Sequence, residues 1–176
     1  AVMGISAAST WQFAHMEEGV GLSRATAALV VTVLSATNMV GRLAGGILGD
    51  RFDKRYLAAA GNAGSSASLL ILAMASSTFD ALAFGVLFGF FWGMRGPMMS
   101  SMRGDFFGRA SFGKIAGTSF LITVPGSMLG PIITGFMADA LGDFRTAFVT
   151  LGCVSALGVL LFLFTKPPAP PARFRN

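Results

Sequence analysis

Five long stretches of mostly apolar residues, separated by short charged turns, decide what this chain is able to fold into. They run near 25–49, 56–77, 80–102, 111–139 and 144–165, and a shorter apolar piece occupies 1–16. A helix needs about 20 apolar residues to cross the hydrocarbon of a bilayer, and in lipid the backbone must satisfy its own hydrogen bonds. An all-α membrane protein is therefore expected, with about five full transmembrane helices and one truncated helix. Only 12% of the residues are charged, half the roughly 25% of a soluble domain, so a water-soluble fold is excluded. The chain begins at Ala1 inside an apolar stretch, without a signal-peptide pattern, and reads as a fragment. The expected layout is one six-helix unit over 1–165 and an irregular Pro-rich tail over 166–176.

The turns fall into two alternating sets. One holds Glu17, Glu18, Asp80 and Asp143 with only Arg24 and Arg145; the other holds Arg51, Lys54, Arg55, Arg103, Arg109, Lys114, Lys166, Arg173 and Arg175. Basic loops stay on the cytoplasmic side, which puts the carboxy terminus in the cytoplasm of a plasma-membrane protein. The net charge of +5 is thus spread over topology-setting loops. A nucleic-acid binder would gather it on one soluble face, so no nucleic-acid partner is expected.

Small residues mark the packing surfaces. Gly41, Gly45 and Gly49 recur every four residues, as do Gly85, Gly89 and Gly93. Each ladder is a smooth stripe along which helix backbones approach closely. Ser23, Ser111 and Asp143 precede apolar runs and are expected to cap them. Pro125 and Pro131 are expected to kink or loosen 111–139. Cys153 lies in an apolar run and reads as a packing residue.

The sharpest local signal is a short basic turn containing Gly46, Leu48, Gly49, Asp50, Arg51, Asp53, Lys54 and Arg55. A helix ends there in small residues, and a carboxylate and several cations crowd the turn. The order resembles the G-x-L-x-D-R-x-G-R/K-R/K loop of the major facilitator superfamily, with Asp53 where the family has Gly. Gly117, Gly126, Gly130 and Pro131 are similar to the family's glycine–proline pattern in its fifth helix and the matching eleventh; a kinked packing helix explains them equally well. His15 to Ser23, Asn38 to Arg42, Arg95 to Pro97 and Asp105 to Gly108 resemble the carboxy-terminal half in the monocarboxylate and oxalate/formate branches. The resemblance covers nearly the whole chain. It implies family helices seven to twelve, an absent amino-terminal half as partner, and a gate built from Gly46, Asp50, Arg51, Lys54 and Arg55. It also implies Asp105 as acidic partner of Arg51 or Arg55.

Charges inside spans are costly and mark a pathway or a pair. Arg42 stands nine residues before Arg51, about 13 Å along a helix, and Arg95 eight before Arg103, about 12 Å. At this similar depth the two are candidates for one cavity. Ser35, Asn38 and Arg42 share a helix face, and a guanidinium holds a carboxylate through two parallel hydrogen bonds. Arg42 with Asn38 and Ser35, and Arg95 beside them, are therefore the candidate anion-binding residues. The alternative is structural: Arg42 pairing with carbonyls or a carboxylate elsewhere, and Arg95 holding a helix break at Gly96 and Pro97. In monocarboxylate-type members an Asp precedes the Arg by four residues; Asn38 stands there instead.

The expected function is secondary transport of small organic anions by alternating access, with a proton or counter-substrate as coupling partner. An exporter of amphipathic solutes is the alternative within the same class. One histidine, His15, one cysteine and no mid-membrane carboxylate leave no catalytic or metal-binding set, so an enzyme is not expected, nor any cofactor. A channel would show a filter or a charged ring.

Overall fold

The structure is a computed structural model. It describes residues 2–164, without the side chains of 3, 105–112, 161 and 162. The described backbone is helical apart from short turns: α1 (Val2–Ala14), a π-helical turn (His15–Gly19), α2 (Arg24–Arg51), α3 (Lys54–Met74), α4 (Thr78–Leu141) and α5 (Phe144–Phe164). Arg24–Arg51, Lys54–Met74, Thr78–Gly104 and Gly113–Leu141 are long and apolar enough to cross a membrane, and Phe144–Leu160 is a shorter apolar stretch. The all-α membrane fold is as the sequence implies. The tail over 166–176 lies outside the described residues.

The expected break between 102 and 111 takes an unexpected form. Helical backbone runs unbroken through Thr78–Leu141, yet that element is not straight. The Arg103 guanidinium lies over the Phe120 ring at 5.9 Å, where seventeen residues of straight helix would separate them by about 25 Å. The chain therefore turns back between them, and α4 is a helical hairpin with a first arm, Thr78–Gly104, and a second arm, Gly113–Leu141. Backbone helicity also persists through Pro97, Pro125 and Pro131, so the break anticipated at Gly96 and Pro97 is not formed.

Helix ends follow local chemistry. Ser23 accepts from the Thr26 amide at 3.2 Å and Asp143 from the Arg145 amide at 2.8 Å, as expected of caps. Ser111 instead lies inside the continuous helical backbone of α4 and begins no helix; its side chain lies outside the described residues. Two further caps appear. Ser77 and Asp80 form a reciprocal capping box at the start of α4, and Asp53 caps α3 by accepting from the Arg55 amide. Gly142 ends α4 at φ 70°, a left-handed turn that costs glycine nothing.

Asp53 explains itself at this point. Its carboxylate also takes the Arg55 guanidinium at 2.9 Å, so the residue standing in the family's Gly position is a cap and an ion-pair partner. Arg55 holds the Asp53 carboxyl below the ordinary carboxylate range. Because the folded value is below the unfolded one, the cap contributes fully above about pH 4 and is lost as pH falls through the folded value. We expect Asp53→Ala to cost about 1 kcal/mol and Asp53→Gly only a few tenths. Thermal unfolding in detergent at pH 7 checks both.

The bundle is held by close backbone approach. The parallel α2 and first arm mesh their glycine ladders at constant offset. A Cβ on Gly85, Gly89 or Gly93 would meet Val30, Leu34 or Asn38, and one on Gly41, Gly45 or Gly49 would meet Phe90, Met94 or Met98. Thr37 donates to the Gly85 carbonyl at 3.2 Å and Asn38 to the Gly89 carbonyl at 3.3 Å. On the far side of α3, Asn62 donates to the Ser155 carbonyl of α5 at 2.8 Å. Between these seams lies an aromatic and aliphatic core that includes Phe84, Phe88, Leu69, Leu72 and Phe148.

Candidate functional site

A cavity of about 500 Å³ opens between α1 and the two arms of α4, inside the usual small-ligand range of about 300–1,000 Å³. From α1 it is lined by Val2, Ile5, Ser6, Ser9 and Thr10, from the first arm by Trp92, Arg95, Gly96 and Met99, and from the second arm by Ser127 and Pro131. The wall is chiefly apolar. Arg95 is the one charged residue among the described residues that line it.

Helical phase puts Arg95 there. Gly93 faces α2, and two residues further on the helix has turned by about 200°, so Arg95 leaves the first arm on the side away from α2. Its guanidinium Nε is buried and has no hydrogen-bond partner among the described residues. A buried donor without a partner is costly, and the residue that carries it lines the cavity.

Trp92 lies one turn earlier on the same face. Its indole packs against Phe88, with ring centroids 5.9 Å apart, and Phe88 stacks on Phe84 at 5.1 Å. Both phenylalanines are fully buried, so the indole is braced from behind. Across the cavity, the Trp11 indole N–H donates to the Pro131 carbonyl at 2.8 Å and pins α1 to the second arm. Gly135 lets the ring lie close: a Cβ there would come within 3.1 Å of it. Thr134, fully buried, donates to the Gly130 carbonyl at 2.9 Å. Pro131 and Gly130 of the glycine–proline pattern thus sit at this junction, whereas Gly117 faces open space.

Arg42 occupies a different place. It is exposed on α2 and outside the wall of this cavity. Its Nε donates to Asn38 Oδ1 at 3.0 Å, and Asn38 in turn donates to the Gly89 carbonyl. Asn38 is nearly buried in the seam between α2 and the first arm. Ser35, on the open side of α2, donates to the Val31 carbonyl at 2.9 Å. The structure therefore joins Arg42 and Asn38 but leaves both apart from Arg95.

At the basic turn, Gly46 faces open space, and Asp50 and Arg51 are exposed. Arg55 is paired with Asp53. The side chain of Asp105, the expected acidic partner, lies outside the described residues. His15 is buried, and its Nε2 lies 3.0 Å from the Leu72 carbonyl. A carbonyl only accepts, so Nε2 carries the proton and joins the end of α1 to α3. Glu17 and Arg24 form a surface pair at 3.1 Å, of a kind that contributes little.

Sequence reasoning missed Trp11. No short-range signal marks Trp11, whose partner is 120 residues away. Trp92 had one signal, its i, i+3 spacing from Arg95.

Known proteins resemble this chain over most of its length. The sequence profile of the Major Facilitator Superfamily matches residues 1–176. Monocarboxylate transporter 12 of Xenopus laevis is 30% identical over 140 residues, covering 76% of this chain and 30% of that protein. A cis,cis-muconate transport protein of Acinetobacter baylyi is 25% identical over 166 residues, covering 93% and 40%. A probable sulfoacetate transporter of Cupriavidus necator is 27% identical over 169 residues, covering 90% and 39%. The chain thus spans between 30% and 40% of the length of these relatives.

Proposed function

The chain belongs to the Major Facilitator Superfamily, and on that premise we propose that it is the carboxy-terminal half of a secondary carrier for small organic anions. The observation that carries this reading is the Arg95 guanidinium, buried and without a partner at Nε, in the wall of a largely apolar cavity. An anion entering the cavity meets the Arg95 side chain in its wall, and the apolar lining takes its carbon skeleton. Removing a carboxylate from water is costly unless it is paired, so a site with one cation selects for the charged end. Three relatives support the same class, since their names specify monocarboxylate, muconate and sulfoacetate.

Arg42, steadied by Asn38, is the second cation that we assign to the anion's path, with Ser35 on the same helix. The turn containing Gly46, Asp50, Arg51, Lys54, Arg55 and, beyond it, Asp105 forms the gate in this reading. The absent amino-terminal half completes the central site, and the two halves rock about it. The basic turns and the carboxy terminus lie in the cytoplasm, with the protein in the plasma membrane. A proton or counter-substrate supplies the driving force, and no catalysis is involved.

Uptake by the full-length protein in liposomes tests this reading. A panel of labelled mono- and dicarboxylates is expected to include at least one acid taken up well above empty liposomes and inhibited by its unlabelled form. No uptake of any acid, together with efflux of an amphipathic uncharged dye, would transfer the protein to the exporter class.

A further inference from the structure

The cation in the cavity wall has a flat aromatic neighbour that anion binding alone does not require. Trp92 precedes Arg95 by three residues, so the two side chains leave the first arm on one face, with Cβ atoms about 5–6 Å apart. The indole packs at a tilt against Phe88, which is itself stacked on Phe84. Trp92 also lines the cavity. An indole braced in this way loses little freedom when a ligand meets it, which is the condition for a preorganised contact.

We propose that the cavity selects acids whose carboxylate is conjugated to a planar unsaturated or aromatic body, with Trp92 as the residue that sets this preference. The proposal rests on the organic-anion reading and narrows it. A carboxylate bonded to an sp² carbon lies in one plane with its body. When its oxygens meet the Arg95 guanidinium, the rest of the plate extends one helical turn toward Trp92. There it gains an offset-stacked contact with the indole. Ile5 and Pro131 line the cavity from α1 and the second arm and offer apolar surface to the plate's opposite side. A saturated ring of the same carbon count is puckered and touches the indole only through a few hydrogens. It keeps the ion pair and loses the stack.

The test compares benzoate with cyclohexanecarboxylate, which share a carbon skeleton and a charge and differ in planarity. Both are labelled, and KM is measured for uptake by the full-length protein in liposomes. Stacking of this kind is worth about 0.5–1.5 kcal/mol, so the wild type is expected to favour benzoate roughly three- to tenfold. In Trp92→Leu the preference is expected to fall below about twofold, through a rise in the benzoate KM alone. Trp92→Phe, which keeps a smaller ring, is expected to retain part of it. Equal KM values for the two acids in the wild type overturn the proposal, whatever the variants do. So does a preference that survives in Trp92→Leu, or in Trp92→Phe at full strength if the leucine variant does not reach the membrane. If neither these acids nor any other is carried, the organic-anion reading fails and takes this proposal with it. If aliphatic acids are carried as well as planar ones, only this proposal fails.

Discussion

Arg95→Gln is expected to lower kcat/KM for the transported acid by at least a hundredfold while leaving the amount of protein in the membrane unchanged. A guanidinium meets a carboxylate through charge-assisted hydrogen bonds, each worth about 1.5–3 kcal/mol, and about 1.4 kcal/mol is a factor of ten. Glutamine keeps a donor and much of the length but loses the charge and the fork. The fold should tolerate the change, because Nε has no hydrogen-bond partner among the described residues. Arg95→Lys keeps the charge without the planar pair of donors, and a loss of about tenfold is expected. Arg42→Gln is the comparison that gives the result its meaning. Arg42 is tied to Asn38 and lies outside the cavity wall, so its replacement is expected to cost less than that of Arg95. Uptake within threefold of wild type in Arg95→Gln, beside an inactive Arg42→Gln, would move the carboxylate to α2 and make Arg95 a structural residue.

Depth was legible in the sequence here, and direction around the helix was not. Counting residues from the basic turns puts Arg42 and Arg95 at one level, since each residue advances about 1.5 Å. Whether they face one space depends on which side of each helix is packed. That is fixed by Gly93 meeting Asn38, a pairing of residues 55 apart in a register no local pattern announces. The same limit explains the gate turn. Asp53 read as a departure from a family pattern, but its role as cap for α3 follows from Ser/Thr/Asp/Asn chemistry at any helix start. Ser77 and Asp80 carried an equally clear capping-box signal. The hairpin of α4 was legible as two spans because apolar length alone defines them. The unbroken helical backbone between them was not, because glycine and charged residues there read as a loop. Trp11 and Pro131 meet only after α1 and the second arm have packed, and nothing within 100 residues of either points to the other.

The glycine ladders, by contrast, are legible in the sequence as packing stripes, and they carry the largest expected stability effect. In the seam between α2 and the first arm, the atoms facing Gly41 are the carbonyl and Cα of Phe90, and those facing Gly45 are the same atoms of Met94. Backbone cannot rotate out of the way as a flexible side chain can. A leucine at Gly41 must therefore push the two helices apart. Overpacking costs about 1–3 kcal/mol where side chains yield, and here the cost should reach the top of that range or exceed it. Separation would also stretch the bonds from Thr37 to Gly85 and from Asn38 to Gly89, each worth about 0.6 kcal/mol in a membrane protein. Gly41→Leu is thus expected to abolish folded protein in detergent or to lower its melting temperature by many degrees. Gly46 supplies the control, since it lies on the same helix with no atom within 4 Å of an added Cβ. Gly46→Leu also trades glycine for a good helix former, a gain of up to about 1 kcal/mol, so its melting temperature should be unchanged or higher. If Gly46 nonetheless serves the gate, Gly46→Leu will fold and fail to transport, whereas Gly41→Leu will not fold. Equal melting temperatures for the two variants would mean that α2 and the first arm do not meet along this seam, and the assignment of Asn38 to it would fall as well.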